Sequence, residues 1–147
     1  MTRSILALSL LLALCSCGQS PRCASEDAQG LVTALKPKEQ FRSLLIMTAE
    51  RTQTVRMAEV RDGLASRKKL VEAVDGAVDR HAAEWEQNLV ASWERLGPAE
   101  IRQVCDALKG RDEKTFMQFA QRVGSEAKSR NDPLLKRAGV EVLDQVW

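Results

Sequence analysis

The sequence predicts an all-α fold, a compact bundle of about five to six helices. Apolar residues recur three and four positions apart through most of the chain, which is the spacing of one helix face. Gly and Pro residues separate these stretches, and no two segments alternate apolar and polar residues as paired strands do. The 147 residues are enough for one domain with a core of its own.

Two helices are predicted before the middle of the chain. Ser25 has the residue type of a helix cap, and a first helix is expected over residues 26–36, where Pro37 interrupts it. A second helix is expected over residues 38–61 because apolar residues recur there at helical spacing. The apolar run 44–47 and the β-branched residues after it also fit a strand, but no other segment offers a pairing partner.

The clearest pattern predicts one long helix over about residues 66–96. Its apolar residues form a single stripe, and a bend is expected near Gly76 because glycine weakens a helix interior. The stripe consists of Leu70, Val71, Val74, Val78, His81, Ala82, Trp85, Leu89, Trp93 and Leu96.

Three shorter helices are predicted after the long one. Gly97 breaks the long helix, and Pro98 suits the first turn of the next, which is expected to end at Gly110. Asp112 is predicted to cap another helix, and the stretch 131–133 (Asn-Asp-Pro) to start the last.

The start of the chain has the pattern of an export signal. Arg3 supplies a positive charge, and the apolar run 5–14 is ten residues long, whereas a helix that spans a membrane needs about 20. The stretch that follows, Leu14-Cys15-Ser16-Cys17, resembles the signal of bacterial lipoproteins, with an aliphatic residue three places before a cysteine and a small residue directly before it. In that family the cysteine thiol receives a diacylglyceryl group, and cleavage makes this cysteine the first mature residue.

The lipoprotein resemblance implies a domain organisation and an address. Residues 1–16 would be a signal peptide, residues 17–24 a tether lipidated at Cys17, and residues 25–147 a single helical domain. The protein would then bind a membrane through its lipid anchor and face the periplasm of a bacterial envelope. Gly18, which is not aspartate, favours the outer membrane over the inner one. Ordinary signal cleavage and a cytoplasmic protein are the alternatives.

Three cysteines remain after removal of such a signal. If Cys17 is acylated, Cys23 and Cys105 form an even pair, and in an oxidising compartment we expect a disulfide between them. Two unpaired thiols are the alternative. The chain has no CxxC pair, so thiol–disulfide catalysis is not expected.

Charge is nearly balanced overall but segregated along the chain. The formal net charge of +2 gives no general basic field, so no nucleic-acid partner is predicted. Residues 36–69 hold nine basic and four acidic residues, whereas residues 70–100 hold two basic and seven acidic residues. We expect these blocks to form adjacent antiparallel helices. In the alternative, basic side chains of the first block face anionic lipid or an acidic partner: Lys36, Lys38, Arg42, Arg67, Lys68 and Lys69.

A second resemblance lies at the end of the predicted long helix. Residues 88–104 include Trp93-Glu-Arg-Leu96-Gly97-Pro98-Ala-Glu100-Ile101. This stretch is similar to a family of small exported helical bacterial domains of unknown function, in which a helix ending in an aromatic residue is followed by a Pro-containing turn, a Glu and an aliphatic residue. The resemblance implies an exported helical domain and no known activity.

Residues that could carry catalysis or hold a metal are sparse. His81 is the only histidine, and a closed zinc site needs four ligands, so we expect His81 at the margin of the stripe with Asp75 or Glu84 in reach. The chain lacks a Gly-rich phosphate loop, a GxSxG elbow and an HExxH motif. We therefore predict no enzyme activity, no metal and no cofactor.

Three functional hypotheses follow from the sequence. The first is a lipid-anchored module that acts by protein contact or as a structural element, with a protein partner of unknown identity. The second is a carrier of an apolar ligand held between helices near the aromatic residues Phe41, Trp85, Trp93 and Phe119. The third is an enzyme that uses His81 with Glu84 or Asp75.

The three tryptophans have interpretations that do not depend on these hypotheses. Trp85 and Trp93 share the helical stripe, so core packing is the favoured interpretation over ligand binding. Trp147 is expected either to dock into the bundle or to remain exposed for a partner.

Overall fold

The computed structural model describes residues 21–147, which form six helices and no strand. The predicted all-α bundle is therefore confirmed, and the strand alternative at residues 44–47 is wrong. The predicted signal peptide and Cys17 lie outside the described residues. The helices are α1 (Ala28–Ala34), α2 (Pro37–Glu50), α3 (Gln53–Asp62), α4 (Leu64–Trp93), α5 (Pro98–Gly110) and α6 (Glu113–Val146).

The two long helices α4 and α6 run side by side in opposite directions. Arg95, two residues after the end of α4, contacts Glu126 of α6, and Arg80, fifteen residues earlier and within α4, contacts Glu141, fifteen residues later in α6. The helices have 30 and 34 residues, which correspond to lengths of about 45 and 50 Å at 1.5 Å per residue. The long helix predicted over residues 66–96 is confirmed as α4.

The helix pair carries a separate hydrophobic core at each end. The bridge core, named for the cysteine pair described below, joins the C-terminal end of α4 and the N-terminal end of α6 to α1 and α5. The stacked core, named for its stacked aromatic pair, joins the other ends of α4 and α6 to α2 and α3. Fully buried members of the bridge core include Leu31, Val32 and Val104; those of the stacked core include Phe41, Ala58, Val74, Ala77, Ala138 and Val142.

The prediction of a separate last helix beginning at residues 131–133 is wrong. α6 continues through Pro133 to Val146 as one helix. The side chain of Asn131, which is 5% exposed, accepts a hydrogen bond of 3.0 Å from Nδ2 of Asn88 in α4. Leu134 is buried directly after this pair. Packing against α4 thus holds the helix together where the proline removes one backbone donor.

The prediction of one helix over residues 38–61 is also wrong. The segment divides into α2 and α3, and Thr52 caps the start of α3. The Thr52 hydroxyl accepts from the Val55 N–H at 3.3 Å and donates to the Ala49 carbonyl at 2.7 Å. A threonine that bonds to the backbone on both sides stabilises a helix end rather than a helix interior.

The basic and acidic blocks meet where α2 runs antiparallel to α4, although the basic block also extends over α3 and the first residues of α4. Lys38 and Arg42 of α2 form ion pairs of 2.9 and 2.7 Å with Asp79 and Asp75 of α4. All four side chains are more than 40% exposed, so water screens these pairs and their effect on stability is small. The finding leaves Lys38 and Arg42 paired within the protein.

Candidate functional site

The first functional feature is the cysteine pair at the bridge core. The Sγ atoms of Cys23 and Cys105 lie 2.11 Å apart and their Cα atoms 5.7 Å apart. This confirms the predicted pairing, and the alternative of two unpaired thiols is wrong. Cys105 is buried on α5, and Cys23 packs against the bridge core from the segment before α1. The bond therefore joins the predicted tether to the body of the bundle.

The segment after Cys23 is held against α1 by a cap and a close approach. Asp27, rather than the predicted Ser25, caps α1: its carboxylate accepts from the Gly30 N–H at 2.7 Å and from the Ser25 hydroxyl at 2.7 Å. These two hydrogen bonds hold the pKa of Asp27 below its usual range, the Gly30 N–H having the larger effect. A Cβ at position 30 would lie 2.1 Å from the Ser25 carbonyl oxygen. Only glycine fits where the Ser25 backbone crosses α1.

The second functional feature is an apolar groove on the stacked-core end. It is an open depression of about 410 Å³ lined by Arg56, Met57, Val60 and Arg61 of α3 together with Trp147. Val60 is 89% exposed and Trp147 63% exposed. The Arg61 guanidinium lies 5.2 Å from the centre of the Trp147 ring and also pairs with Asp62. We call this surface the distal groove.

The distal groove and the cysteine bridge lie at opposite ends of the molecule. Trp147 follows the last residue of α6, whereas the first residues of α6 adjoin α5, which carries Cys105. The 34 residues of α6 separate these ends by about 50 Å. The sequence predicted that Trp147 could be exposed, but it did not predict the groove. A signal existed: Met57 and Val60 are three residues apart on the face of α3 away from Val55.

His81 lies at the margin of the apolar stripe as predicted, with its side chain 17% exposed, but its predicted carboxylate partners are wrong. Its Nε2 lies 2.9 Å from Oε1 of Glu141 in α6, and neither Asp75 nor Glu84 pairs with it. Asp75 pairs with Arg42, and Glu84 pairs with Arg137 at 2.8 Å. The two carboxylates that the enzyme hypothesis assigned to His81 therefore do not pair with it. Over residues 21–147 no three His, Cys, Asp or Glu side chains form a group able to hold a metal ion.

The aromatic residues of the carrier hypothesis are not brought together at one site. Phe41 and Trp85 stack with ring centres 4.9 Å apart in the stacked core, whereas Trp93 packs at 6.0 Å from Phe116 in the bridge core. Trp85 and Trp93 are 6% and 2% exposed, so their prediction as core residues is confirmed. Phe119 is half-buried at the bridge core, beneath a guanidinium group of its own helix.

No helix within residues 21–147 combines the length and the apolar character that crossing a bilayer requires. No family model matches the chain, and neither a curated protein nor a solved structure is significantly similar to it.

Replacing Gly30 tests the close approach of the Ser25 backbone to α1. Gly30→Ala is expected to lower the free energy of unfolding by about 1 to 3 kcal/mol, because the new methyl group overlaps the Ser25 carbonyl and the backbone must shift. Gly124→Ala is the matched control. No atom lies within 4 Å of a Cβ there, so it should gain about 0.5 to 1 kcal/mol from helix propensity. Urea denaturation measures both, and equal effects would contradict the close approach.

Acid titration tests the pair between His81 and Glu141. Hydrogen bonding from His81, and secondly from Arg80, holds the pKa of Glu141 below its usual range. The resulting stabilisation is present above the unfolded pKa of about 4.3 and is lost as the pH falls through the lower folded pKa. Glu141→Gln should therefore be less stable than the natural protein at pH 7 and should approach it in strong acid.

The urea midpoints of Glu141→Gln and of the natural protein are compared at pH 7 and in strong acid. Glu59→Gln, which removes an exposed carboxylate of α3, serves as the control and should show no such convergence. If the two variants respond to pH in the same way, the contact does not stabilise the fold.

Proposed function

We propose that this protein is a lipid-anchored protein of the bacterial cell envelope whose helical body is a protein-interaction or structural module facing the periplasm. No catalytic activity is part of the proposal. The observation that supports it best is the bond between Cys23 and Cys105. Disulfides persist in exported proteins and are rare in the reducing cytosol, so this bond agrees with the lipoprotein-type signal that precedes it.

The position of the bond gives the proposed anchor a defined geometry. Six residue steps separate Cys17 from Cys23, and such a stretch of chain spans at most about 20 Å. An acyl group on Cys17 would therefore keep the bridge core close to the bilayer. The long axis of α4 and α6 would then carry the distal groove away from the attachment point.

The residue after the anchor supports one membrane over the other. Gly18 stands where lipoproteins retained in the inner membrane carry aspartate, so we place the protein at the outer membrane. Several acyl chains give nearly permanent attachment, because each buried methylene contributes about 0.8 kcal/mol.

Metabolic labelling with a radioactive fatty acid tests the anchor. The natural protein should carry the label and sediment with the envelope fraction, because the thiol of Cys17 is the acceptor. Cys17→Ser should lose the label completely. Cys15→Ser, which removes the neighbouring cysteine of the same signal, should keep it. Label that persists in Cys17→Ser would disprove the anchor.

The same membranes test the interaction role. Purification of the lipidated protein in several mild detergents should recover a stoichiometric partner, since a module without activity of its own works through contact. Recovery of the protein alone in every detergent contradicts this part of the proposal and leaves the labelling result unaffected.

A further inference from the structure

The distal groove exposes more apolar surface than single scattered residues do. Met57 is 50% exposed, Val60 89%, Trp147 63%, and the neighbouring Leu64 88%. Met57, Val60 and Trp147 line the groove together at one end of the bundle, whereas Leu64 begins the next helix outside the lining. A contiguous apolar surface rimmed by charged groups is typical of a binding site.

The charges around the groove have one dominant sign. Residues 51–69 hold six basic and two acidic side chains. One of the two acids, Asp62, is already paired with Arg61. Arg56 lines the groove and forms no ion pair with any residue that the structure describes. Arg67 and Lys68 lie outside the groove lining and pair with Glu50 and Glu72, and Arg61 pairs with Asp62. Arg56 is therefore the cation of the groove lining that has no ion-pair partner among residues 21–147, and an occupant with a negative charge fits beside it.

We propose that the distal groove binds an acidic segment of a partner protein that inserts one apolar side chain between Val60 and Trp147. A carboxylate of that segment then pairs with Arg56, which has no ion-pair partner among residues 21–147. The proposal rests on the proposed function, because it names the surface and the chemistry by which the module meets its partner. Apolar anchors with flanking charges are a common mode of peptide recognition.

A second copy of the chain does not fit the groove. A two-fold interface sets the same patch against itself, so the basic rims of the two copies would face each other and repel. A bilayer fits poorly as well, since a lipid surface does not fill a concave groove. The groove also lies about 50 Å along α6 from the bridge core, which the anchor holds near the membrane.

Photocrosslinking in intact cells tests the occupant. The probe is p-benzoylphenylalanine placed at Val60 in the full lipidated chain, and Val140 is the control position because it is also a surface valine, 51% exposed, on another helix. We expect an adduct at Val60 and none at Val140. Mass spectrometry of the adduct should identify a partner peptide with net negative charge around an apolar residue.

Reversing the charge of Arg56 at the rim of the groove tests whether binding depends on the negative charge of the partner. Arg56→Glu in the Val60 probe protein should lower the adduct yield about tenfold, the effect of roughly 1.4 kcal/mol of binding free energy. Arg102→Glu, the same change on the exposed face of α5 at the other end of the molecule, should leave the yield unchanged.

Each other outcome overturns the assignment. An adduct of twice the chain mass indicates a second copy, an adduct with phospholipid indicates a membrane surface, and a neutral or basic partner peptide contradicts the charge argument. Absence of any adduct at Val60 also overturns it. If a stoichiometric partner still co-purifies in that case, the assignment of the distal groove as the binding surface is wrong, and the proposal of an interaction module still holds.

Discussion

The antiparallel pairing of α4 with α6 is the constraint on which the rest of the structure depends. Each core contains one end of both helices, so neither core forms without the pair. The hydrogen bond between Asn88 and Asn131 lies between the two cores, where a buried polar group without a partner would cost about 1 to 3 kcal/mol. Offset of the helices by even one residue would separate these side chains. The pair therefore fixes both the register of the helices and the distance between the two ends of the molecule.

Much of this fold was predictable because helical spacing is a local property of the sequence. α4 was predicted to within three residues at each end, and Asp112 was identified as the cap of α6. The error at Pro133 came from giving a proline more weight than the phase of the apolar stripe. The buried positions before and after Pro133, among them Val123, Asn131 and Leu134, continue with intervals of three, four and eight residues. One unbroken face was therefore already visible in the sequence.

What could not be predicted depends on contacts between residues far apart in the chain. His81 meets a carboxylate sixty residues away, and spacing along one helix offers only its own neighbours as candidates. The distal groove has the same origin, because Met57 and Val60 form an exposed apolar surface only where Val55 and Ala58 face the core. The Cys23 and Cys105 pairing was accessible from sequence, since counting cysteines needs no geometry.

The cysteine bridge also determines how freely the distal groove would move above a membrane. Without the bond, the first residue held against α1 would be Ser25, eight residue steps from Cys17, which allows about 26 to 29 Å of slack. With it, the slack falls to six steps, about 20 Å, which is less than half the length of α6. A shorter tether confines the groove to a smaller volume and raises its effective concentration toward a partner held in the same envelope. The bond would thus serve the proposed interaction as well as stability, to which closing an 82-residue loop contributes about 4 to 5 kcal/mol in the chain-entropy model.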